Sequence, residues 1–205
     1  ISIVHNGIPG PESPPSAPPN RTPDAPATVA LVARLSPRKG IDVALEALAL
    51  VRATGVDARL VVCGTVFEGY EWYEAELRHR AQQPDLAGAV DFRGYVSPTW
   101  PVLASADVLL VPSRVEPFGN TAVEALLAQR PLVASRTQGL IEIVTHEHTG
   151  LLVSPEDAQE LAAAIGRLLA DPAWAAELAQ RGRNEALERF STSAYSAALV
   201  RVLNS

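Results

Sequence analysis

TVALVARLSPRKGIDVALEALALVRAT, residues 28–54, decides the fold. Thr28 to Ala33 is a short apolar run carrying β-branched valines, the length and composition of a buried strand. From Asp42 to Thr54 the period changes, with Ala44, Leu45, Leu48 and Val51 falling near helical spacing. A buried strand passed through a short polar loop to an apolar-faced helix is the opening of a strand–helix–strand unit. The remaining chain repeats it.

The spacing predicts strands over 59–63, 89–93, 108–112, 132–135 and 151–153. It predicts helices over 70–82, 98–105, 119–129 and 140–144. Ser154-Pro155-Glu156-Asp157 reads as the start of a helix reaching about Ala170, with a cap candidate, a proline in the first turn and acids behind it. Asp171-Pro172 repeats the signal for a helix to about Arg189, and a last helix starts at Ser191. About six strands alternating with helices predict an α/β fold: a Rossmann-like open parallel sheet covered on both faces. Upstream, residues 9–26 hold eight prolines, which excludes a helix or a central strand there. The division expected is a connecting strand over 1–8, a proline-rich loop or linker over 9–27, one domain over 28–190 and a terminal helix over 191–205. The chain opens on Ile1-Ser2-Ile3-Val4 and contains no methionine, so we expect a portion of a longer protein.

Composition narrows the class. Of the 205 residues, 47% are hydrophobic and 20% charged, enough apolar material for a packed core. A net charge of −6 argues against nucleic-acid binding through a basic face. The longest unbroken apolar runs, Val29–Ala33 among them, are roughly five residues against the ~20 that a membrane span needs. No transmembrane segment is expected in this chain, and peripheral membrane association of the longer protein stays open. The single cysteine, Cys63, cannot pair within the chain; it reads as a core residue and points to a reducing, cytoplasmic location. Trp72, Trp100 and Trp174, on predicted helices, read as packing residues. His146 and His148 share a His-x-His spacing, but no further ligand completes a metal set, so a solvated loop is the expectation.

Ligands of parallel sheets bind beyond the carboxyl ends of the strands. The first such end is Ala33-Arg34-Leu35-Ser36-Pro37-Arg38-Lys39-Gly40. It lacks both G-x-G-x-x-G and G-x-x-x-x-G-K-[ST], which weighs against dinucleotide and P-loop sites. Arg34 and Lys39, the only lysine of the chain, could straddle a diphosphate as a planar fork and a point charge; Arg38 reads as a solvated loop charge. The second end is Pro112-Ser113-Arg114-Val115-Glu116-Pro117-Phe118-Gly119-Asn120-Thr121-Ala122-Val123-Glu124-Ala125. Gly119 permits close approach of a ligand to the backbone, and the free N–H groups of Asn120 and Thr121 at a helix start form an anion site. The Glu124 carboxylate can accept two hydrogen bonds from a cis-diol such as ribose. Glu116, in the loop, can reach sugar hydroxyls beyond the phosphates. Taken singly, Glu124 reads as a dipole-complementing acid and Glu116 as a surface charge.

These residues resemble a known family. Glu116 and Glu124 form the Glu-x7-Glu pattern of retaining glycosyltransferases of the GT-B fold, group 1 or family 4 type. The surrounding text from Pro112 to Ala125 is similar to it, as are Arg34 to Asp42, His5-Asn6-Gly7-Ile8 and Thr149 to Val153. The resemblance covers nearly the whole chain outside the proline-rich stretch and identifies it with the C-terminal, donor-binding domain. It implies Arg34, Lys39 and Glu116 as catalytic residues. Arg34, Lys39, Gly119, Asn120 and Thr121 would bind the diphosphate, Glu124 the ribose, Glu116 and Phe118 the donor sugar, and Tyr95 and Val96 the base. It implies a nucleotide-diphosphate-sugar donor, no metal or other cofactor, and an N-terminal acceptor domain as partner. One departure stands out: the family's Gly-x-Gly turn after the second strand is here Gly64-Thr65-Val66. A non-catalytic nucleotide-sugar-binding module and a nucleotide-sugar epimerase of the same fold remain as alternatives. A phosphorylase-like enzyme and a nicotinamide dehydrogenase are disfavoured, the latter by the absent glycine fingerprint.

Overall fold

The computed structural model describes residues 4–12 and 25–204. Six strands form one sheet in the order β3-β2-β1-β4-β5-β6, every neighbouring pair parallel. They are β1 (Ala27–Val32), β2 (Ala58–Cys63), β3 (Val90–Gly94), β4 (Val108–Val111), β5 (Leu132–Ser135) and β6 (Leu151–Val153). The helices are α1 (Ile41–Ala53), α2 (Glu71–Ala81), α3 (Trp100–Ala104), α4 (Asn120–Leu127), α5 (Leu140–Ile143), α6 (Ala158–Ala170), α7 (Pro172–Phe190) and α8 (Thr192–Leu203). A 3-10 turn, Pro37–Lys39, lies between β1 and α1.

Alternation along the strands sorts the core into two layers. Val29 and Leu31 of β1 join α1 and α6 on one face, while Ala30 of the same strand joins α3, α4 and α5 on the other. Helix α7 serves both: Ala175 and Leu178 pack into the first layer, Ala186 and Phe190 into the second. Because the chain runs outward from β1 to β3 and then returns to β4, the direction of winding reverses between β1 and β4. In open parallel sheets that reversal leaves a crevice at the carboxyl ends of the strands.

Three local expectations are corrected. Helix α6 begins at Ala158, not near Ser154. Asp157 caps it by accepting from the Glu160 N–H at 2.8 Å, and the Glu160 carboxylate reaches back to the Ser154 N–H at 2.7 Å. Within the expected strand over 1–8, residues 1–3 lie outside the described residues; of the rest, only Ile8 bridges, to Ser191. Trp72 packs outside the core: it is 52% exposed on α2 with its ring edge-on to Tyr73 at 5.7 Å, whereas Trp100 and Trp174 are half-buried against the two core layers. Most of the proline-rich stretch, residues 13–24, lies outside the described residues. No helix among them is long and apolar enough to cross a membrane.

Candidate functional site

A cleft of about 670 Å³ opens at the carboxyl ends of β1, β2 and β3, facing the first turns of α4. Arg34, Phe67, Tyr95, Val96, Thr121 and Glu124 are among its lining residues. The structure thus brings together five of the residues singled out from the sequence, Arg34, Tyr95, Val96, Thr121 and Glu124, drawn from two loops and one helix. Thr121 fixes the helix against the sheet by donating its hydroxyl to the Val32 carbonyl at 3.2 Å. The N–H groups of Asn120 and Thr121 find no acceptor among the described residues, so the start of α4 keeps its donors and the positive end of its dipole available. Gly119 precedes them with φ 118°; a side chain there would place Cβ 2.7 Å from Leu140 Cδ2.

Glu124 sits one turn into α4 with its carboxylate half-buried in the cleft wall. Burial alone pushes its pKa up from the ordinary carboxylate value. No side chain or backbone group among the described residues donates to it, which is how a carboxylate awaiting an external donor looks. Tyr95, on the loop after β3, is 78% exposed and stands at the cleft rim.

Lys39 and Glu116 lie beside the cleft, in a tight recess shared with Ser113 and walled by Val32, Ala33 and Thr121. Here they hold each other: Lys39 Nζ donates to Glu116 Oε2 at 2.5 Å, and Ser113 Oγ donates to the same oxygen at 3.1 Å. The Glu116 backbone is pinned too, its N–H donating to Gln138 Oε1 and its carbonyl accepting from the Gly139 N–H. Phe118 faces away from the cleft into an aromatic cluster, 5.9 Å from both His5 and Phe190. Asn6 reaches the Asn120 side chain at 3.5 Å. The His5-Asn6-Gly7 stretch therefore buttresses the loop before α4.

Arg114 is the residue that sequence reasoning passed over. Its guanidinium forks onto both oxygens of Asp42 at 2.9 and 2.7 Å, donates to the Pro37 carbonyl at 2.6 Å and to Glu156 at 2.7 Å. Its own N–H donates to the Arg38 carbonyl. One side chain thus ties the loop bearing Arg34 and Lys39 to the loop bearing Glu116. Its position three residues beyond the end of β4 was the only available signal. Burial would raise the Asp42 carboxyl, but hydrogen bonds from Arg114 and Tyr73 hold it below 3.8. Burial and the bond to Asp42 push the Tyr73 phenol up.

Because the folded-state pKa of Asp42 is depressed, its contribution is present above 3.8 and lost as pH falls through the folded value. We expect Arg114→Met to cost about 1 kcal/mol near neutrality, a modest figure because 43% of the Asp42 side chain remains in water. The loss should shrink in acid. Urea unfolding near pH 7 and near pH 3 measures it; an equal loss at both would refute the assignment.

Elsewhere, His146 Nδ1 accepts from the Leu152 N–H at 3.0 Å and His148 lies 3.4 Å from Glu185, so both rings serve local structure. No group of three or more His, Cys, Asp or Glu side chains suited to a metal occurs among the described residues. Cys63 is buried at the end of β2, where desolvation raises its thiol pKa.

Comparison with known proteins agrees with this fold. A family model described as glycosyl transferases group 1 matches residues 14–187. A glycogen synthase of Mycobacterium tuberculosis is 33% identical over 204 residues, 98% of this chain and 48% of its own length. A GDP-mannose-dependent alpha-(1-6)-phosphatidylinositol dimannoside mannosyltransferase of the same species is 42% identical over 115 residues, 55% of this chain and 28% of its own. Among solved structures, HepE from Anabaena in complex with UDP and glucose superposes with a TM-score of 0.83 at 29% identity, covering 88% of this chain and 48% of HepE. The chain spans about half the length of the curated glycogen synthase it matches. With the family model extending over most of the sequence, this chain belongs to the glycosyl transferases group 1 family.

Proposed function

We propose that this chain is the donor-binding half of a retaining glycosyltransferase that moves a sugar from a nucleotide-diphosphate-sugar to an acceptor hydroxyl, the acceptor site being supplied by an N-terminal domain. The observation that carries the reading is the convergence of Arg34, Thr121 and Glu124 on one cleft at the winding reversal of the sheet. In this scheme Glu124 grips the ribose diol, Tyr95 and Val96 border the base, and the diphosphate meets Arg34, Lys39 and the amides of Asn120 and Thr121. Glu116, released from Lys39, takes the sugar hydroxyls. Phe118 acts through its aromatic cluster by shaping the Glu116 loop, not by touching the sugar with its ring.

Cleaving the bond between anomeric carbon and phosphate builds negative charge on the diphosphate and positive charge on the sugar. Fixed cations and helix amides aimed at the diphosphate stabilise that redistribution without reorganising. The scheme draws all its positive charge from the protein and invokes no metal. A glycosidase-type carboxylate pair is disfavoured, because Glu124 stands by the presumed ribose while Glu116 is engaged in the separate recess. Support from relatives is specific: the HepE complex holds UDP and glucose, and the mannosyltransferase is named for GDP-mannose.

Calorimetric titration of the chain with UDP, GDP, ADP and NADH tests this. One nucleoside diphosphate should bind saturably, and Lys39→Ala should weaken it by about tenfold, the worth of one charge-assisted hydrogen bond. Binding of NADH alone would sink the proposal.

A further inference from the structure

Arg34 differs from two other cations beside the cleft, Lys39 and Arg114. Lys39 is tied to Glu116, and Arg114 to Asp42 and Glu156. The Arg34 guanidinium makes no hydrogen bond or ion pair among the described residues; it lies instead over the Phe67 ring, 4.0 Å from the centroid. Both residues line the cleft. Phe67 belongs to the loop after β2, the loop in which Val66 stands where the family pattern has its second glycine. It is 47% exposed, an uncommon setting for a phenylalanine with no packing role.

The chemistry of that stack is directional. A guanidinium that meets a ring with its flat face keeps all its N–H donors in its own plane, clear of the ring face. Stacking therefore fixes a long, rotamer-rich side chain without consuming any donor. A salt bridge would fix it equally well but would occupy the fork that an oxyanion needs.

We propose that Phe67 is a positioning residue for the diphosphate: its ring holds Arg34 at the cleft with the donor edge free. This rests on the donor-site reading above. The expected signature is coupling. Phe67→Ala and Phe67→Leu should each weaken binding of the preferred nucleoside diphosphate by about threefold, the size of an exposed cation–π contact. Phe67→Tyr, which keeps the ring, should bind as the parent does. In the R34A background the same phenylalanine substitutions should change nothing, since the side chain they position is gone.

The test is a double-mutant cycle by calorimetry with UDP, GDP and ADP, each variant's thermal midpoint being recorded to confirm folding. Additive losses, with F67A weakening binding as much in R34A as in the parent, would make Phe67 a structural residue and overturn the proposal. Parent-like or tighter binding by F67A would overturn it too, the latter because the ring would then be holding Arg34 away from the ligand. Failure of the parent to bind any of the three diphosphates would instead bring down the donor-site reading, and this proposal with it.

Discussion

Glu124→Ala weakens nucleoside-diphosphate binding by roughly a hundredfold, or about 3 kcal/mol, if its carboxylate accepts two charge-assisted hydrogen bonds from a ribose diol. Titration calorimetry reads the change directly. A Kd within about threefold of the parent would remove Glu124 from the site. The same residue gives a pH test whose sign is opposite for stability and for binding. Burial raises its folded-state pKa above the ordinary 4.5, so between those two values the folded chain holds more protons than the unfolded one. Stability therefore falls as pH rises through that window, and the full penalty persists above it. Glu124→Gln removes the charge and should make the unliganded chain more stable than the parent near neutrality, the two converging in acid. Binding by the parent should run the other way, weakening as the carboxylate is protonated and loses acceptor capacity. A residue that destabilises the empty fold while tightening the complex is a functional one.

The second large effect concerns Gly64→Ala. An added Cβ would lie 1.8 Å from the Ala33 carbonyl oxygen and 2.8 Å from its carbon, at a φ of 141° that L side chains rarely adopt. Both obstacles are backbone, so no side chain can rotate out of the way. The exits of β1 and β2 are also laced together there, the Ala33 N–H donating to the Cys63 carbonyl and the Leu35 N–H to that of Thr65. Separating them should cost about 3 kcal/mol and lower Tm by roughly 10 °C. Nucleotide binding should fall with it, since Arg34 and Phe67 leave from these two exits. Gly166→Ala is the contrast: it lies within α6 with nothing near its Cβ position, and should gain up to about 1 kcal/mol. A thermal scan of both variants settles the pair; an unchanged Tm for Gly64→Ala would mean the strand exits are not packed as described.

Local patterns already carried the architecture. Thr28–Ala33 reads as a buried strand because valine and leucine fill it without interruption, and the 3.6-residue spacing from Ala44 to Val51 can only belong to a helix. Those short-range preferences agree with the fold at every strand, which is why element order and parallel class were legible. Asp171 and Ser191 likewise announce α7 and α8 because a cap needs only its own next three residues. Candidate site residues were legible for a related reason: strand ends are where parallel sheets bind ligands, and only a few charged residues occur at those ends.

What folding alone settled is which of those residues share a space. Arg34 and Glu124 are 90 positions apart and meet in one cleft because β1 and β4 are neighbours in the sheet. Lys39 and Glu116 pair in a separate recess, a division that linear spacing does not encode. Phe118 turns into a cluster with His5 and Phe190, residues from opposite ends of the chain. Arg114 and Phe67 gained their roles from partners 72 and 33 positions away, Asp42 and Arg34. The physical reason is one throughout. Propensity, periodicity and capping act within a few residues, whereas a binding site is made by side chains brought together by burial of the sheet's two faces, and burial has no sequence range.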